Sequence, residues 1–468
     1  MTIKLPKKGE IVSLDIESLA FGGMGVAHMG DLIVFVQNAI PGQRVTARIL
    51  KKRSSYLQAK RMAVEIESTD FQSPPCTHFE YCGGCTSQNL TYSVQLTAKA
   101  GQVKDIFQRI GGFREVQIEP IVGCEEVFHY RNKMEFTFSN RRFVTGLDED
   151  LPRDYVLGAH TTGKFDKILN IDQCWLQPQI CNDILITVKR KVRELGLPPY
   201  DILHHTGLMR FLIIRTSEAT GEVMVNLVTT EDAREKLRPL VDELTSAFPA
   251  IVSIVNNITT RKSDVSTGEK EIVLSGRDHL IDTIGNLTFR ISANSFFQTN
   301  TRQALTLYKI VRDHCQLSGS ETVFDLYCGA GSISLFVASR AKEVLGFELV
   351  PSAIRDALEN TELNTIHNVH FIEGDLMEIF RKSPDISKLP SPDVLIIDPP
   401  RAGLHPHTLT DILTLAPQRI VYVSCNPSTQ ARDVKLLCEG GYTLGKIIPV
   451  DMFPHTPHIE TVAILTQD

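Results

Sequence analysis

The sequence lacks any membrane-spanning or secretory signal. None of its apolar runs approaches the roughly 20 residues that cross a bilayer. The first ten residues, MTIKLPKKGE, lack the apolar centre of a signal peptide, and no low-complexity tract or internal repeat is evident. We therefore expect a cytoplasmic protein with no membrane partner. In such a protein the ten cysteines are expected to bind metal or to act in catalysis rather than to form disulfides.

An excess of positive charge is also missing. The chain has 49 Lys and Arg against 55 Asp and Glu, a net charge of −6, so the whole molecule is not a polycation. One stretch departs from this balance, because residues 44–61 hold seven basic residues and no acidic one. Such a run is often the solvated face of a strand, but on an acidic protein it can also bind phosphate.

The 468 residues suffice for about three domains. Residues 1–68 alternate apolar and polar positions between turn sequences, which predicts five short strands in a small OB-like β-barrel. Residues 69–290 predict an α+β central domain with helices near 92–110 and 231–248. From residue 291 to 468, strand runs alternate with helical stretches. This pattern predicts a doubly wound parallel sheet, closed by two final strands as in class I methyltransferases.

Polar groups follow each of the five parallel strands of this last domain. Ligands of such sheets bind at the carboxyl ends of the strands, so these groups are expected to share one edge. In strand order they are the turn with Gly329 and Gly331, then Glu348, Asp375, Asp398 and Cys425. A glycine turn followed by an acid about 20 residues later is typical of a nucleoside-binding pocket, here one for S-adenosylmethionine.

Cys425 ends the strand in IVYVSCNPST, and Asn426 and Pro427 stop the strand directly after it. Free cysteine is among the most buried residue types, so a core side chain is one interpretation. The other is a nucleophile that the strand end holds at the edge of the sheet.

Four motifs favour the second interpretation: LYCGAGSISL, DPPRAGL, VSCNPST and the near-terminal HIETVAIL. They resemble the RNA uridine-5-methyltransferase family, and the likeness covers essentially the whole chain. The sequence is most similar to the 23S ribosomal RNA branch, whose members have an N-terminal TRAM barrel and an iron–sulfur site. The resemblance implies an enzyme that uses S-adenosylmethionine to form 5-methyluridine in RNA.

The resemblance also implies roles for single residues. Cys425 matches the nucleophile and Glu460 the base, while Asp398 matches the acid at the junction of base and cofactor. Ser332 stands where the family is expected to have Asn. The residues implied to hold the cofactor are Gln298, which also faces the uracil, Tyr327, Ser332, Glu348, Asp375 and Asp398.

The chemistry needs one thiol and one separate carboxylate. C5 of uracil is a weak nucleophile, and addition of a thiolate at C6 makes it enolate-like. After C5 has taken the methyl group, a base removes the C5 proton and the thiolate leaves.

A cysteine-rich segment lies at the start of the central domain and forms its expected iron–sulfur site together with Cys174. Cys76, Cys82 and Cys85 have the spacing C-x5-C-x2-C, and Cys174 is the fourth candidate ligand, with Cys181 as a competitor. Four thiolates bind zinc as well as an iron–sulfur cluster, so the spacing leaves both open. The resemblance implies a 4Fe-4S cluster on Cys174 and the first three.

RNA is the expected partner and a monomer the expected state. The barrel favours ribosomal RNA, with transfer RNA as the alternative. We expect its basic residues to contact phosphates, namely Arg44, Arg48, Lys51, Lys52 and Arg53. Two other functions stay open: a cytosine-5 RNA methyltransferase, which also uses a cysteine, and a non-catalytic RNA-binding or assembly protein.

Overall fold

The structure is a computed structural model that describes residues 6–145, 152–382 and 389–467. Within these residues no helix has both the length and the apolar character needed to cross a membrane. In these described residues the β structure consists of three sheets of six or eight strands and one separate hairpin.

The N-terminal part is a six-stranded sheet with the order β1-β5-β6-β4-β3-β2. Its apolar residues alternate along the strands and meet in one core, which includes Leu14, Val34, Val45 and Leu57. The strand beyond the five predicted is β2, which has only two residues. The strands are β1 (Ile11–Asp15), β2 (Ser18–Leu19), β3 (Gly25–Met29), β4 (Leu32–Gln37), β5 (Arg44–Lys52) and β6 (Tyr56–Ile66).

The central part is built on an eight-stranded sheet with the order β15-β14-β13-β12-β8-β10-β11-β9. The predicted helix near 231–248 is present, whereas α2 was not predicted. The elements are α1 (Tyr92–Ile106), β7 (Gln117–Ile118), β8 (Lys133–Ser139), β9 (Arg142–Phe143), β10 (Val156–Thr161), β11 (Lys164–Asn170), α2 (Gln179–Glu194), β12 (Met209–Thr216), β13 (Val223–Thr229), α3 (Arg234–Ala247), β14 (Ile251–Ile258) and β15 (Lys270–Gly276).

The predicted helix over 92–110 is α1 extended by a π-helical turn at Phe107–Gly111. Gly112 ends it in the left-handed region at φ 76°, where a glycine has no Cβ to clash. Val103 and Phe107 pack into the core of the C-terminal sheet, so this helix joins the central part to the C-terminal part.

The C-terminal part contains the predicted parallel sheet, with the order β20-β19-β18-β21-β22-β24-β23 and β7 at the far edge. The five strands β18 to β22 are parallel to one another, and β24 runs antiparallel to both its neighbours. The elements are the hairpin β16 (His279–Ile284) and β17 (Leu287–Ser292), then α4 (Thr301–Cys315), β18 (Thr322–Leu326), α5 (Ser332–Ala338), β19 (Glu343–Glu348), α6 (Pro351–Leu363), β20 (Val369–Glu373), α7 (Leu376–Lys382), β21 (Val394–Ile397), α8 (Pro406–Leu415), β22 (Arg419–Ser424), α9 (Pro427–Glu439), β23 (Tyr442–Val450) and β24 (Glu460–Gln467).

The central and C-terminal parts share one hydrophobic core. Met224 of β13 and Val255 of β14 pack with residues of the hairpin, of α4 and of the C-terminal sheet. This shared core joins the central part to the C-terminal part. The exact boundaries at residues 68 and 290 stay a prediction.

Candidate active site

The turn after β18 has an unusual backbone. Tyr327, Gly329 and Gly331 all have positive φ values, 66°, 56° and 76°. A Cβ on Gly331 would lie 2.6 Å from the Phe371 ring, so only glycine fits there. Tyr327 has a side chain and still adopts the left-handed region, a strained conformation that often occurs at functional sites.

Glu348, at the end of β19, is fixed beside this turn. Its Oε2 accepts a hydrogen bond from Gly329 N at 3.0 Å, and its Oε1 accepts from Leu349 N at 2.8 Å. The predicted ribose-binding acid and the glycine turn therefore lie together at one edge of the sheet.

Asp325 is a buried acid that our sequence reasoning did not select. Its Oδ2 accepts from Ser334 Oγ at 2.5 Å, while its Oδ1 has no hydrogen-bond partner. Burial raises the pKa of Asp325 to about 7. An acid inside the apolar strand TVFDLY was the available signal.

Two other predicted cofactor residues contact neighbouring elements. Ser332 Oγ lies 2.9 Å from Tyr308 Oη of α4. Asp375 Oδ1 accepts from Met377 N at 2.9 Å, so it caps the start of α7. The glycine turn, Glu348 and Asp375 follow three neighbouring parallel strands, and carboxylate acceptors at this edge suit the hydroxyl and amino groups of S-adenosylmethionine.

Cys425 follows β22 directly, and the helix that starts at Pro427 turns the chain away, as predicted. Asn426 Nδ2 donates to Arg401 O at 3.0 Å, which ties the DPPRAGL loop to this turn. Burial raises the pKa of the Cys425 thiol to about 11, and the negative charge of Glu460 adds to this effect. The Arg401 guanidinium acts in the opposite direction and favours the thiolate. Arg401 is thus the positive partner that the sequence did not identify.

Glu460 is the first residue of β24, where it pairs with Val450 and is 5% exposed. Burial, and then the nearby Asp398, raise the pKa of Glu460 well above its ordinary value. Burial raises the pKa of Asp398 to about 7. The structure therefore brings the predicted nucleophile, the predicted base and the predicted junction acid together.

Gln298 lies in a loop that the central part holds in place. Asn132 Nδ2 donates to Gln298 O at 2.9 Å, and Arg215 Nη2 donates to Ser295 O at 2.8 Å. The neighbouring Phe296 ring is 67% exposed. The support from Asn132 and Arg215 is another feature that sequence reasoning missed, since both residues lie far from residue 298 in the chain.

The four predicted cysteine ligands lie close enough for the charge of one thiol to affect the others. Each sulfur also receives an N–H group. Gly84 N donates to Cys82 Sγ at 3.4 Å and Gln88 Nε2 to Cys85 Sγ at 3.3 Å, while backbone N–H groups face Cys76 and Cys174. Cys181 is buried in the core of the central part, close enough to Cys174 for the charge of that thiol to affect it as well.

Thiols with N–H donors suit a thiolate-bound metal group, because these donors stabilise negative sulfur. Burial raises the pKa of the Cys82 thiol to about 12, so a positive group is needed to keep it ionised. Within the described ranges, however, no group of three or more His, Cys, Asp or Glu side chains is arranged to hold one metal ion. The donor chemistry therefore fits a thiolate-bound cluster, and neither a cluster nor zinc is shown.

The basic residues of the first sheet differ in their partners. Arg44 faces Asp15 across β1 and β5, and its Nε donates to Asp15 Oδ1 at 2.7 Å. Arg48 pairs with Lys60 of β6, and both are exposed. Arg48 and Lys60 are thus better placed than Arg44 to meet a phosphate.

The fold and the grouped side chains at the ends of its parallel strands define an S-adenosylmethionine-dependent methyltransferase with an added β-domain. The tRNA (uracil-5-)-methyltransferase profile matches residues 211–468, and the TRAM domain profile matches residues 6–61. The chain belongs to the tRNA (uracil-5-)-methyltransferase family, which confirms the predicted RNA (uracil-5-)-methyltransferase class.

Relatives and a solved structure agree with this assignment. Proteins from Chlorobaculum tepidum and Porphyromonas gingivalis, both named as uncharacterized RNA methyltransferases, are 41% and 42% identical. These alignments cover 98% and 97% of this chain and 96% and 100% of the relatives. The tRNA (uracil-54, C5)-methyltransferase of Pyrococcus abyssi, solved with S-adenosyl-L-homocysteine, has a TM-score of 0.75 and 30% identity. That alignment covers 97% of this chain and all of the other.

Proposed function

We propose that this enzyme forms 5-methyluridine in RNA with Cys425 as nucleophile and Glu460 as base, and that its target is 23S ribosomal RNA. The observation that carries the chemistry is the meeting of a thiol, a guanidinium and a raised-pKa carboxyl at the ends of adjacent strands. A cytosine-5 enzyme also needs a thiol, but it has no equal need for the carboxyl of Glu460.

In this scheme the Cys425 thiolate adds to C6 of the uracil, and a C6–S bond forms while the 5,6-double bond opens toward C5. S-adenosylmethionine supplies the methyl group that C5 takes. Glu460 then accepts the C5 proton, the double bond re-forms and the C6–S bond breaks. The raised pKa of Glu460 suits this last step, because a carboxylate with a high pKa is a stronger base.

Asp398 and Arg401 are assigned supporting roles. Asp398 is proposed to act at the junction of the cofactor and the reacting base, and its charge raises the pKa of Glu460. Arg401 stabilises the thiolate before the attack and the departing thiolate after it. Tyr327, Ser332, Glu348, Asp375 and Gln298 are proposed to hold the cofactor, with Gln298 also facing the uracil.

The choice of RNA has one argument on each side. The TRAM domain and the exposed Arg48–Lys60 pair offer a surface for a large structured RNA, which supports ribosomal RNA. The Pyrococcus abyssi enzyme acts on tRNA, and its alignment covers 97% of this chain, so it includes most of the first domain. Transfer RNA is therefore the second candidate.

We also propose that Cys76, Cys82, Cys85 and Cys174 bind a 4Fe-4S cluster. The four thiols sit in loops that donate N–H groups to sulfur, and such bonds tune the reduction potential of iron–sulfur clusters. Zinc is the competing occupant, since it accepts the same ligands.

The test of the function is mapping of 5-methyluridine. RNA from a strain without this gene should lack the modified base at a 23S position, and the purified enzyme should restore it in a transcript. Loss at a tRNA position instead would assign the second candidate. Loss of 5-methylcytidine, or no change in either base, would contradict the proposal.

A further inference from the structure

The His458 ring faces a cation at the edge of the candidate site. Its Nδ1 lies 2.8 Å from Arg401 Nη2. A guanidinium can only donate, so Nδ1 accepts and the ring is a neutral imidazole. Burial, with the charges of Arg401, Arg131 and Lys99, lowers the pKa of His458 to about 4, which keeps the ring neutral at pH 7.

The same guanidinium lowers the pKa of the Cys425 thiol, and Asn426, next to Cys425 in the chain, donates to Arg401 O at 3.0 Å. Asn426 fixes the backbone of Arg401 but not its side chain. An exposed arginine side chain samples many rotamers, so it needs a further contact to stay in one place. His458 supplies that contact.

His458 itself lies in a loop that hydrogen bonds from other parts of the chain hold in place. The loop spans residues 451–459 between β23 and β24 and has no helix or strand. Its carbonyl groups accept hydrogen bonds from three separate regions of the chain. The donors are Asn300 Nδ2 to Met452 O at 3.0 Å, Tyr130 Oη to Pro454 O at 2.9 Å, and Thr86 N to His455 O at 2.8 Å.

We infer that His458 is a positioning residue whose ring holds the Arg401 guanidinium against the Cys425 thiol. The inference rests on the proposed role of Cys425 as nucleophile and adds the residue that keeps its positive partner in place. Besides Arg401, the charged groups that act on Cys425 are Glu460 of β24 and Asp398 after β21, and both oppose the thiolate. If the Arg401 side chain is not held in place, the effect of these two acids on the Cys425 thiol prevails, and the pKa of the thiol rises.

The test measures the thiol directly and needs no RNA. Iodoacetamide reacts with thiolates, so the rate of Cys425 alkylation is followed between about pH 7 and 9 on its own peptide by mass spectrometry in the full-length protein. In this range the rate falls about tenfold for each pH unit by which the thiol midpoint rises, so the rate reports a shift of the midpoint. His458→Leu should raise this midpoint by about 1 pH unit, since a neighbouring positive charge shifts a pKa by 1–3 units. His458→Asn should restore most of it, because Asn Oδ1 can accept near the position of Nδ1. His370→Leu, at an exposed position of β20, is the matched control and should leave it unchanged.

A second variant shows whether His458 acts through Arg401. Arg401→Gln should raise the midpoint at least as far, and adding His458→Leu to it should change nothing more. An unshifted midpoint in His458→Leu would overturn the inference, and so would a shift that persists in full on the Arg401→Gln background. Equal shifts in His458→Leu and His458→Asn would also overturn it. A protein that shows the expected shifts but makes no 5-methyluridine would instead refute the proposed function.

Discussion

Lys99 Nζ of α1 lies 2.6 Å from Asp451 Oδ1, and both side chains are buried, with 6% and 0% exposed. The two residues are 352 positions apart in the chain. Lys99 also donates to Phe453 O at 3.2 Å, and Tyr92 Oη donates to Asp451 Oδ2 at 2.9 Å. This ion pair thus anchors the loop of residues 451–459 at the point where it leaves β23.

Removing one partner of this pair should be strongly destabilising. In Lys99→Met the Asp451 carboxylate stays buried without its cation, which should lower the free energy of unfolding by about 3–5 kcal/mol. Lys104→Met, at an exposed position of the same helix, should change it by less than about 0.5 kcal/mol. Denaturation with urea measures both, and equal stability of the two variants would show that the pair is not an anchor.

The pH dependence of stability should report the buried acids. The folded-state pKa of Asp398, about 7, is raised above its ordinary value, so this group favours folding while it is protonated. That contribution is full below about pH 4 and is lost as the pH rises to about 7.

Asp398→Asn should therefore remove part of the loss of stability between pH 4.5 and 8, with an upper bound of about 4 kcal/mol for a shift of three units. Asp313→Asn, at an exposed position of α4, serves as the control. If the free energy of unfolding falls by the same amount in wild type and in Asp398→Asn over this range, the pKa of Asp398 is not raised in the folded protein.

The cysteine set predicts which thiols matter for metal. Anaerobically purified protein should contain iron and sulfide, and Cys174→Ala should lose both. Cys181→Ala, in the core of the central part, should keep them despite a cost of stability. Iron, sulfide and zinc analysis measures this. Stoichiometric zinc without iron would show that the site binds zinc. Iron retained by Cys174→Ala but lost by Cys181→Ala would show that Cys181, not Cys174, is the fourth ligand.

RNA affinity should depend more on the exposed Arg48 and Lys60 than on the ion-paired Arg44. Arg48→Ala with Lys60→Ala should weaken binding and reduce the slope of log affinity against log salt by roughly 0.7–0.9 per lost phosphate contact. Arg44→Ala, whose side chain is paired with Asp15, should have the smaller effect. Filter binding over a salt series compares the two, and an equal or reversed order would contradict this reading of the surface.

The sequence predicted those features of the fold and the site that depend on residues close together in the chain. The parallel strands of the C-terminal part and Cys425 at a strand end each follow from a few neighbouring residues. Contacts between distant segments had no such signal. Lys99–Asp451, Asn132–Gln298 and Arg401–His458 each join residues that are far apart in the chain, so only the folded chain reveals them.

Two further features were missed for local reasons. The helix α2 begins at Gln179, shortly after Cys174, and carries Cys181. Its apolar residues recur at helical spacing, which is a local signal for this helix. Asp325 sits within an apolar strand run, where one acid can be either a buried functional group or a strand-edge residue. Its burial and its unpaired oxygen decide between these only in the structure.

The central claim is that Cys425 starts the reaction and Glu460 ends it, and the measurement that tests it most directly is a search for trapped RNA. The enzyme is incubated with substrate RNA and S-adenosylmethionine labelled on the methyl group, then denatured and resolved on a gel. Glu460→Gln keeps the shape but cannot take the C5 proton, so elimination should stall. Its predicted result is a labelled protein–RNA band that survives denaturation, and Cys425→Ala should give neither that band nor methylated RNA. A Cys425→Ala protein that methylates uridine at near wild-type rate would contradict the account. Normal turnover by Glu460→Gln without a trapped band would move the base role to another residue, with Asp398 as the first candidate.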